Sequence, residues 1–306
     1  MFWGRVEFIG KVLMGFAIIL VGGEEASASQ RALWVTRWDY KSPEDVRQIM
    51  NRAKEFGASD VLFQVRGEAT VFYPSRIEPW AWELTGDDAD SLGKDPEWDP
   101  LAVALEEAKR VQVGLHAWVN VFPGWRGLNP VPAKVDQVWV RHRSWFMLDQ
   151  GKRLMRPSAQ FYAFLSPGNP EVRQHLTAVI RELAENYPNL QGIHLDYVRY
   201  PAHEETGRFR DFSYDDASVK AFRNRYQKEP KFDRPEWMQF KCEQVAETIR
   251  MFRQAIRSAS PTMQLSGTFV AYMQKATSET GQDPRIWLSE GLVDWVVPMA
   301  YKRSVK

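Results

Sequence analysis

The chain has 306 residues, of which 44% are hydrophobic and 26% charged, and a formal net charge of +1. That is a globular composition, and without any run of Lys or Arg it lacks the electrostatic footprint of a nucleic-acid or anionic-membrane binder. Cys242 is the only cysteine, which excludes an internal disulfide framework and a cysteine-based zinc cluster.

Arg5 and Lys11 precede the apolar run 12–23, and Ala26 and Ala28 follow it. This is the pattern of a secretory signal peptide cut after about Ala28, with an uncleaved N-terminal anchor as the alternative, and the run is short for a transmembrane span. The expectation is an exported protein, periplasmic or extracellular, with residues 1–28 as leader and 29–306 as one domain. No integral membrane association is expected once the leader is gone.

Past residue 30 strand-like and helix-like segments alternate. "RALWVTRWD" (31–39) reads as a strand, and 42–57 as a helix with Ser42 as cap, Pro43 in its first turn and Gly57 at its end. "DVLFQVR" (60–66) is the next strand, followed by a loop rich in aromatics and a capped helix over 99–111. "VGLHAWVNVF" (113–122) is the third strand; 123–168 is irregular and rich in Trp, Pro and Arg; 169–188 is a helix with Asn169 as cap and Pro170 at its first position. "LQGIHLDYV" (190–198) is the fourth strand, with helices near 214–227 and 235–258 after it. "MQLSGTFV" (263–270), a short helix over 283–291 and "VDWVVPMAY" (293–301) complete the pattern.

Alternation of this kind argues for parallel βα units. No G-x-G-x-x-G or Walker A pattern follows a strand, which weakens a nucleotide-binding open sheet, and the long loops after strands two to five favour a barrel with its site on one face. The fold class expected is α/β, a (β/α)8 TIM-type barrel. Six strands precede Lys306 and two more units would need roughly 60 residues, so the barrel is expected to be truncated after strand six.

Polar groups gather at the strand ends, where barrel enzymes place their chemistry. They are Arg37 and Asp39 after strand one; Gln64, Arg66 and Glu68 at strand two; and His116, Trp118 and Asn120 on strand three. His194, Asp196, Tyr197 and Arg199 stand at strand four, Gln282 and Asp283 after strand five, and Tyr301 at strand six. Asp196 is the leading candidate, because a carboxylate at the end of an apolar strand must be paired or must do chemistry. Its structural alternative is an ion pair with Arg199, Arg66 or Arg37. Its chemical alternative is one half of a carboxylate pair for glycoside cleavage, with Asp283, Glu68 or Asp39 as partner, although Asp283 before Pro284 also reads as a helix cap. His116 and His194, flanked by apolar residues, read more readily as core histidines than as metal ligands. No H-E-x-x-H or G-x-S-x-G occurs, Cys242 reads as buried and inert, and no metal or cofactor is expected. Trp38, Trp118, Trp125, Trp145 and Tyr73 could stack on sugar faces, with ordinary packing as the alternative.

"RALWVTRWDY", "FQVRGEATVFYPS", "GLHAWVNVF", "LSPGNPEVR", "GIHLDYVRYP" and "GQDPRIWLSEGLVDWVVPMAY" stand in the order found in the glycosyl-hydrolase-like family 10 of bacterial exported proteins, which this chain resembles from about residue 31 to 301. The resemblance implies a β/α-barrel glycosidase, with Asp196 at the matching acidic position and Gln282 and Asp283 at a second polar pair. A characterised branch of the family acts on peptidoglycan glycan strands stripped of their peptides, and members continue beyond the "VVPMAY" run. The expected function is secreted glycoside hydrolysis of a bacterial polysaccharide through Asp196 with Asp283 or Glu68. Arg37, Asp39, Gln64, Arg66, His116, Trp118, Asn120, His194, Tyr197, Arg199, Gln282 and Tyr301 would hold substrate or tune the carboxyls. The alternatives are a carbohydrate-binding or scaffolding protein without turnover, and a metal-dependent hydrolase using His116, His194 and Asp196.

Overall fold

The computed structural model describes residues 16–18, 31–86, 88–127, 131–132, 134–206, 211–230 and 234–301. The leader expected over 1–28 therefore lies, apart from 16–18, outside the described residues. The strands are β1 (Phe16–Ile18), β2 (Arg31–Val35), β3 (Asp60–Arg66), β4 (Gly114–Asn120), β5 (Pro123–Trp125), β6 (Ala163–Phe164), β7 (Gly192–Asp196), β8 (Gln264–Val270) and β9 (Trp295–Met299). The six strands legible in the sequence are β2, β3, β4, β7, β8 and β9, and they pair in parallel in that order. β1 adds antiparallel at the β2 edge, and β5 and β6 form a separate two-stranded antiparallel sheet inside the long third loop.

The helices begin where the sequence supplies a cap. Ser42, Asp99, Asn169, Asp215 and Asp283 each accept a backbone N–H of the first turn with the side chain. Pro43, Pro100, Pro170 and Pro284 follow four of these caps, where a missing N–H costs nothing. The helices cover the outer face of the sheet, where Val61, Phe63, Ala117, Val119, Ile193 and Leu265 join the main core. Cys242 is buried in the helix Arg234–Ala259, and burial pushes its thiol up to about 12, which leaves it inert. Among the described residues no helix is long and apolar enough to cross a membrane.

The sheet curls strongly. Flat strands ~4.8 Å apart would separate β2 from β7 by roughly 14 Å. Yet the Trp34 ring on β2 lies 4.8 Å from His194 on β7, and His116 on β4 lies 5.6 Å from Trp295 on β9. The inner face thus closes over its own small core of Ala32, Leu62 and Trp118, with Trp34 and Trp295 packed against it. The α/β barrel architecture is present as a curled half-barrel; among the described residues β9 forms no ladder with β2.

One irregularity redirects a predicted site residue. Gln64 pairs with Trp118 but Arg66 pairs with Val119, so β3 carries a bulge at Val65. Strict alternation would have sent Arg66 inward with Gln64; the bulge puts it on the outer face with Val119. There its Nε and Nη2 donate to Glu78 at 2.7 Å each, and Nη1 donates to the carbonyls of Asn120 and Val121. Glu78 in turn meets His175 of the helix Pro170–Asn186 at 2.9 Å. Arg66 bolts sheet, loop and helix together.

Burial would raise the Glu78 carboxyl, but Arg66 and His175 outweigh it and hold it down to about 2. Its contribution to stability is therefore present above pH ~4.5 and is lost as the pH falls toward 2. Glu78→Gln, which leaves Arg66 buried without a counter-charge, is expected to cost ~3–5 kcal/mol in urea unfolding at neutral pH. The gap between variant and wild type should close on acidification; an equal gap at pH 3 and pH 7 would contradict this account.

Candidate active site

Register and pleat arrange the inner face in layers. Toward the start of the strands Leu62 stands opposite His116; one layer further along, Gln64, Trp118, His194 and Ser266 align. At the C-terminal ends Asn120 stands opposite Asp196, and Thr268 of β8 reaches the same carboxylate. The polar mouth of the half-barrel is built from this last layer and the loops that follow it.

Asp196 is buried, at 8% exposure, and its Oδ1 accepts the Thr268 hydroxyl at 2.8 Å and the Tyr197 N–H at 2.7 Å. Oδ2 has no hydrogen bond among the described residues. Burial pushes its pKa up, against the pull of those two donors and of Arg199. Tyr197 has φ +49°, a left-handed conformation that costs a non-glycine residue about 1–3 kcal/mol. Ladder bonds hold it there, from Val121 N–H to the Asp196 carbonyl and from Phe122 N–H to the Tyr197 carbonyl. Asn120 beside it is buried, and among the described residues its Oδ1 has no hydrogen-bond partner, an arrangement that suits a ligand hydroxyl.

Among the described residues no arginine forms an ion pair with Asp196. Arg66 belongs to Glu78. Arg199 forks onto Glu205 at 2.6 and 2.9 Å and lies over the Tyr197 ring at 4.6 Å. Arg37 contacts Glu68 at 3.2 Å and Glu83 at 2.8 Å. Each arginine considered for Asp196 is held by a glutamate, and the aspartate keeps its own counsel of hydroxyl and amide.

Arg37, Glu68 and Glu83 form a second buried charge cluster. Gly67 makes room for it, since a Cβ there would come within 2.2 Å of an Arg37 Nη atom. The Arg37 N–H donates to Gln64 Oε1 at 3.0 Å, and the buried amide of Gln137 clamps the Glu68 carbonyl at 2.9 Å and the Gly124 carbonyl at 2.7 Å. Burial, with the Glu83 charge beside it, pushes the Glu68 carboxyl up to about 7 despite Arg37 and Arg126; burial raises Glu83 as well. Tyr162 links this cluster to Asp196: its hydroxyl lies 3.4 Å from Arg37 Nη2, and its ring lies 5.5 Å from that of Tyr197. The structure thus holds a carboxyl able to give up a proton near neutrality and, across Tyr162 and Tyr197, an oriented carboxylate without an arginine partner among the described residues.

A family model described as Glycosyl hydrolase-like 10 matches residues 29–306. The chain belongs to that family. It is 25% identical to "Glycosyl hydrolase YngK" of Bacillus subtilis over 97% of this chain, and 27% identical to "Glycosyl hydrolase DigH" of Escherichia coli over 82% of it. It spans 59% and 56% of the length of those relatives. The fold is similar to that of the PgaB (BpsB) glycoside hydrolase domain from Bordetella bronchiseptica, with a TM-score of 0.57 and 14% identity, covering 85% of this chain and 70% of that one. It is also similar to the catalytic domain of a beta-amylase from Paenibacillus polymyxa, with a TM-score of 0.57 and 11% identity, covering 86% of this chain and 75% of that one.

In this member of the family several expected site residues have structural work. Asp283 caps the helix Pro284–Ser289, and both its oxygens are taken by Arg285, at 2.9 and 2.8 Å, which hold its pKa below the usual range. Gln282 is spent on β8, donating to the Thr268 carbonyl and accepting the Val270 N–H. Asp39 closes the turn after β2 on the N–H and hydroxyl of Thr36. His116 meets Asp60 at 3.2 Å near the start of the strands; His194 meets Ser266 at 2.8 Å, stacks on Trp295, and is pushed by burial down to about 3. Both histidines and Trp118 fill the barrel below the mouth, and among the described residues no three metal-ligating groups stand together. Trp125, Trp145 and Tyr73 are buried packing residues, whereas Trp38 is 45% exposed. Tyr301 is 88% exposed; desolvation of its phenol end and the Asp196 charge raise its pKa.

Sequence reasoning did not single out Thr268, Glu83, Arg126, Tyr162 or Glu205. Thr268 was recoverable, because it follows Ser266 by two in a strand whose alternate residues face inward. The others lie between the strands and long helices, Glu83 in the single 3-10 turn Trp82–Leu84 and Glu205 in the short helix His203–Thr206, segments too short to show a period. A Glu68 carboxyl raised to about 7 contributes stability that is complete below pH ~4.5 and fades as the pH rises through 7. Glu68→Gln is therefore expected to gain on wild type in urea midpoint between pH 4.5 and 7.5; a constant difference across that window would refute the shift.

Proposed function

We propose that the protein is an exported glycoside hydrolase that cleaves O-glycosidic bonds in a bacterial envelope polysaccharide, with peptidoglycan-type glycan strands as substrate. The observation that carries this reading is the Asp196 carboxylate at the barrel mouth, oriented by Thr268 and Tyr197, unpaired by any arginine, and flanked by the orphan Asn120 Oδ1. The family and the names of its relatives support glycosidase chemistry; the leader-like N-terminal pattern supports export.

In this mechanism Glu68 is the general acid. Its carboxyl, raised to about 7, retains a proton at neutral pH and can deliver it to the leaving oxygen. Asp196 acts through Oδ2 at the anomeric carbon, either directly or by activating a water. Arg37 and Glu83 set the Glu68 charge, and Asn120 takes a sugar hydroxyl. Asp283, with both oxygens on Arg285, is left out of the acid–base pair.

Peptide-free glycan strands digested by the secreted form should yield shorter fragments by mass spectrometry. Asp196→Asn is expected to abolish detectable cleavage while remaining folded. Glu68→Gln is expected to lower kcat by ~10²–10⁴-fold and to remove the limb near pH 7 from the rate profile. Activity should persist in a chelator. Binding without cleavage by the wild type would return the protein to the scaffolding alternative, and loss of activity on chelation would restore the metal-dependent one.

A further inference from the structure

Arg126 acts on Glu68 from a distance, and the mechanism gives its own donors no partner. It follows β5, whose Trp125 pairs with Ala163 of β6, so the antiparallel register places Arg126 beside Tyr162. Its guanidinium carbon lies 5.7 Å from the Tyr162 ring and 5.5 Å from the ring of the exposed Trp38. Its side chain is 31% exposed, and among the described residues its guanidinium makes no hydrogen bond. The nearest carboxylate, Glu68, lies 4.0 Å from Nε, beyond hydrogen-bond range. The other strand-end arginines differ: Arg37, Arg66 and Arg199 are buried and each is held by at least one glutamate. An arginine kept rigid between aromatic rings, with its donors open to solvent, is preorganised for a planar oxyanion.

Resting on the glycosidase reading above, we infer that Arg126 is a specificity-determining residue that binds a carboxylate substituent on the glycan, beside the sugar cleaved at Asp196. The aromatic rings of Trp38 and Tyr162 supply apolar faces for the sugar that carries it, and Tyr162, 5.5 Å from Tyr197, makes this subsite continuous with the catalytic one. The electrostatics agree. Burial keeps Glu68 partly neutral near pH 7, so the pair of guanidiniums, Arg37 and Arg126, is not fully balanced by Glu68 and Glu83, and an incoming carboxylate completes the balance. Hydroxyls and acetamide carbonyls of a neutral sugar can accept from these donors, but only a carboxylate also brings the negative charge, so the inference favours an acidic glycan.

The test compares peptide-free glycan strands with free lactyl carboxylates against the same strands after carboxyl reduction, cut by wild type, Arg126→Gln and Arg126→Lys. On carboxylated strands Arg126→Gln should raise KM about tenfold or more, and Arg126→Lys should recover part of it; any change in kcat that comes through the Glu68 charge should be the same on both strand types. On reduced strands the three proteins should share one high KM. A rise in KM that is the same on both substrates, or absent on both, overturns the inference. Calorimetric binding of both strand types to Asp196→Asn, with and without Arg126→Gln, reads the same discrimination without turnover. Carboxylate-dependent binding without cleavage by the wild type would sink the glycosidase reading alone; failure of Asp196→Asn to prefer carboxylated strands would sink this one.

Discussion

The in-register pairing of β4, β7 and β8 sets Asn120, Asp196 and Thr268 at one level of a curled sheet, and everything at the mouth is referred to that level. Because parallel ladders fix which residues stand side by side, the Thr268 hydroxyl meets the Asp196 carboxylate without help from any loop. The strain at Tyr197 follows from the same constraint. The strand must end at Asp196 and turn sharply while its amide still points back at Oδ1, and the amides of Val121 and Phe122 hold the backbone in that turn.

Around this level the charges are partitioned. Arg66, Arg199 and Arg37 are all buried, and a buried guanidinium without a counter-charge is costly. Each is met by loop glutamates, so none remains to neutralise Asp196. The result is a carboxylate whose pKa is raised by burial and whose Oδ2 makes no hydrogen bond among the described residues. The bulge at Val65 is part of the same partition, because it moves the Arg66 charge from the inner face to the helix layer.

The third loop, irregular by pattern, contributes most to the shape of the site. Its two-stranded sheet carries Arg126 and Tyr162, and Gln137 ties it to the Glu68 backbone. The candidate site is therefore distributed over segments that share no periodicity, on a scaffold whose inner layers hold the packed rings of Trp34, Trp118, His194 and Trp295.

The order of strands and helices, the helix caps and the inward, strand-end position of Asp196 were all legible in the sequence, because local hydrogen bonding and the period of two dictate them. The resemblance to a glycosidase family was legible too, through motifs at those same strand ends. What only the tertiary structure decided was pairing. Arg66 went to Glu78 across a bulge, Arg199 went to Glu205, and Glu68 went to Arg37 beside an unforeseen Glu83. Charges in a buried cluster choose partners across loops by distance and desolvation, and neither quantity is written in residue spacing.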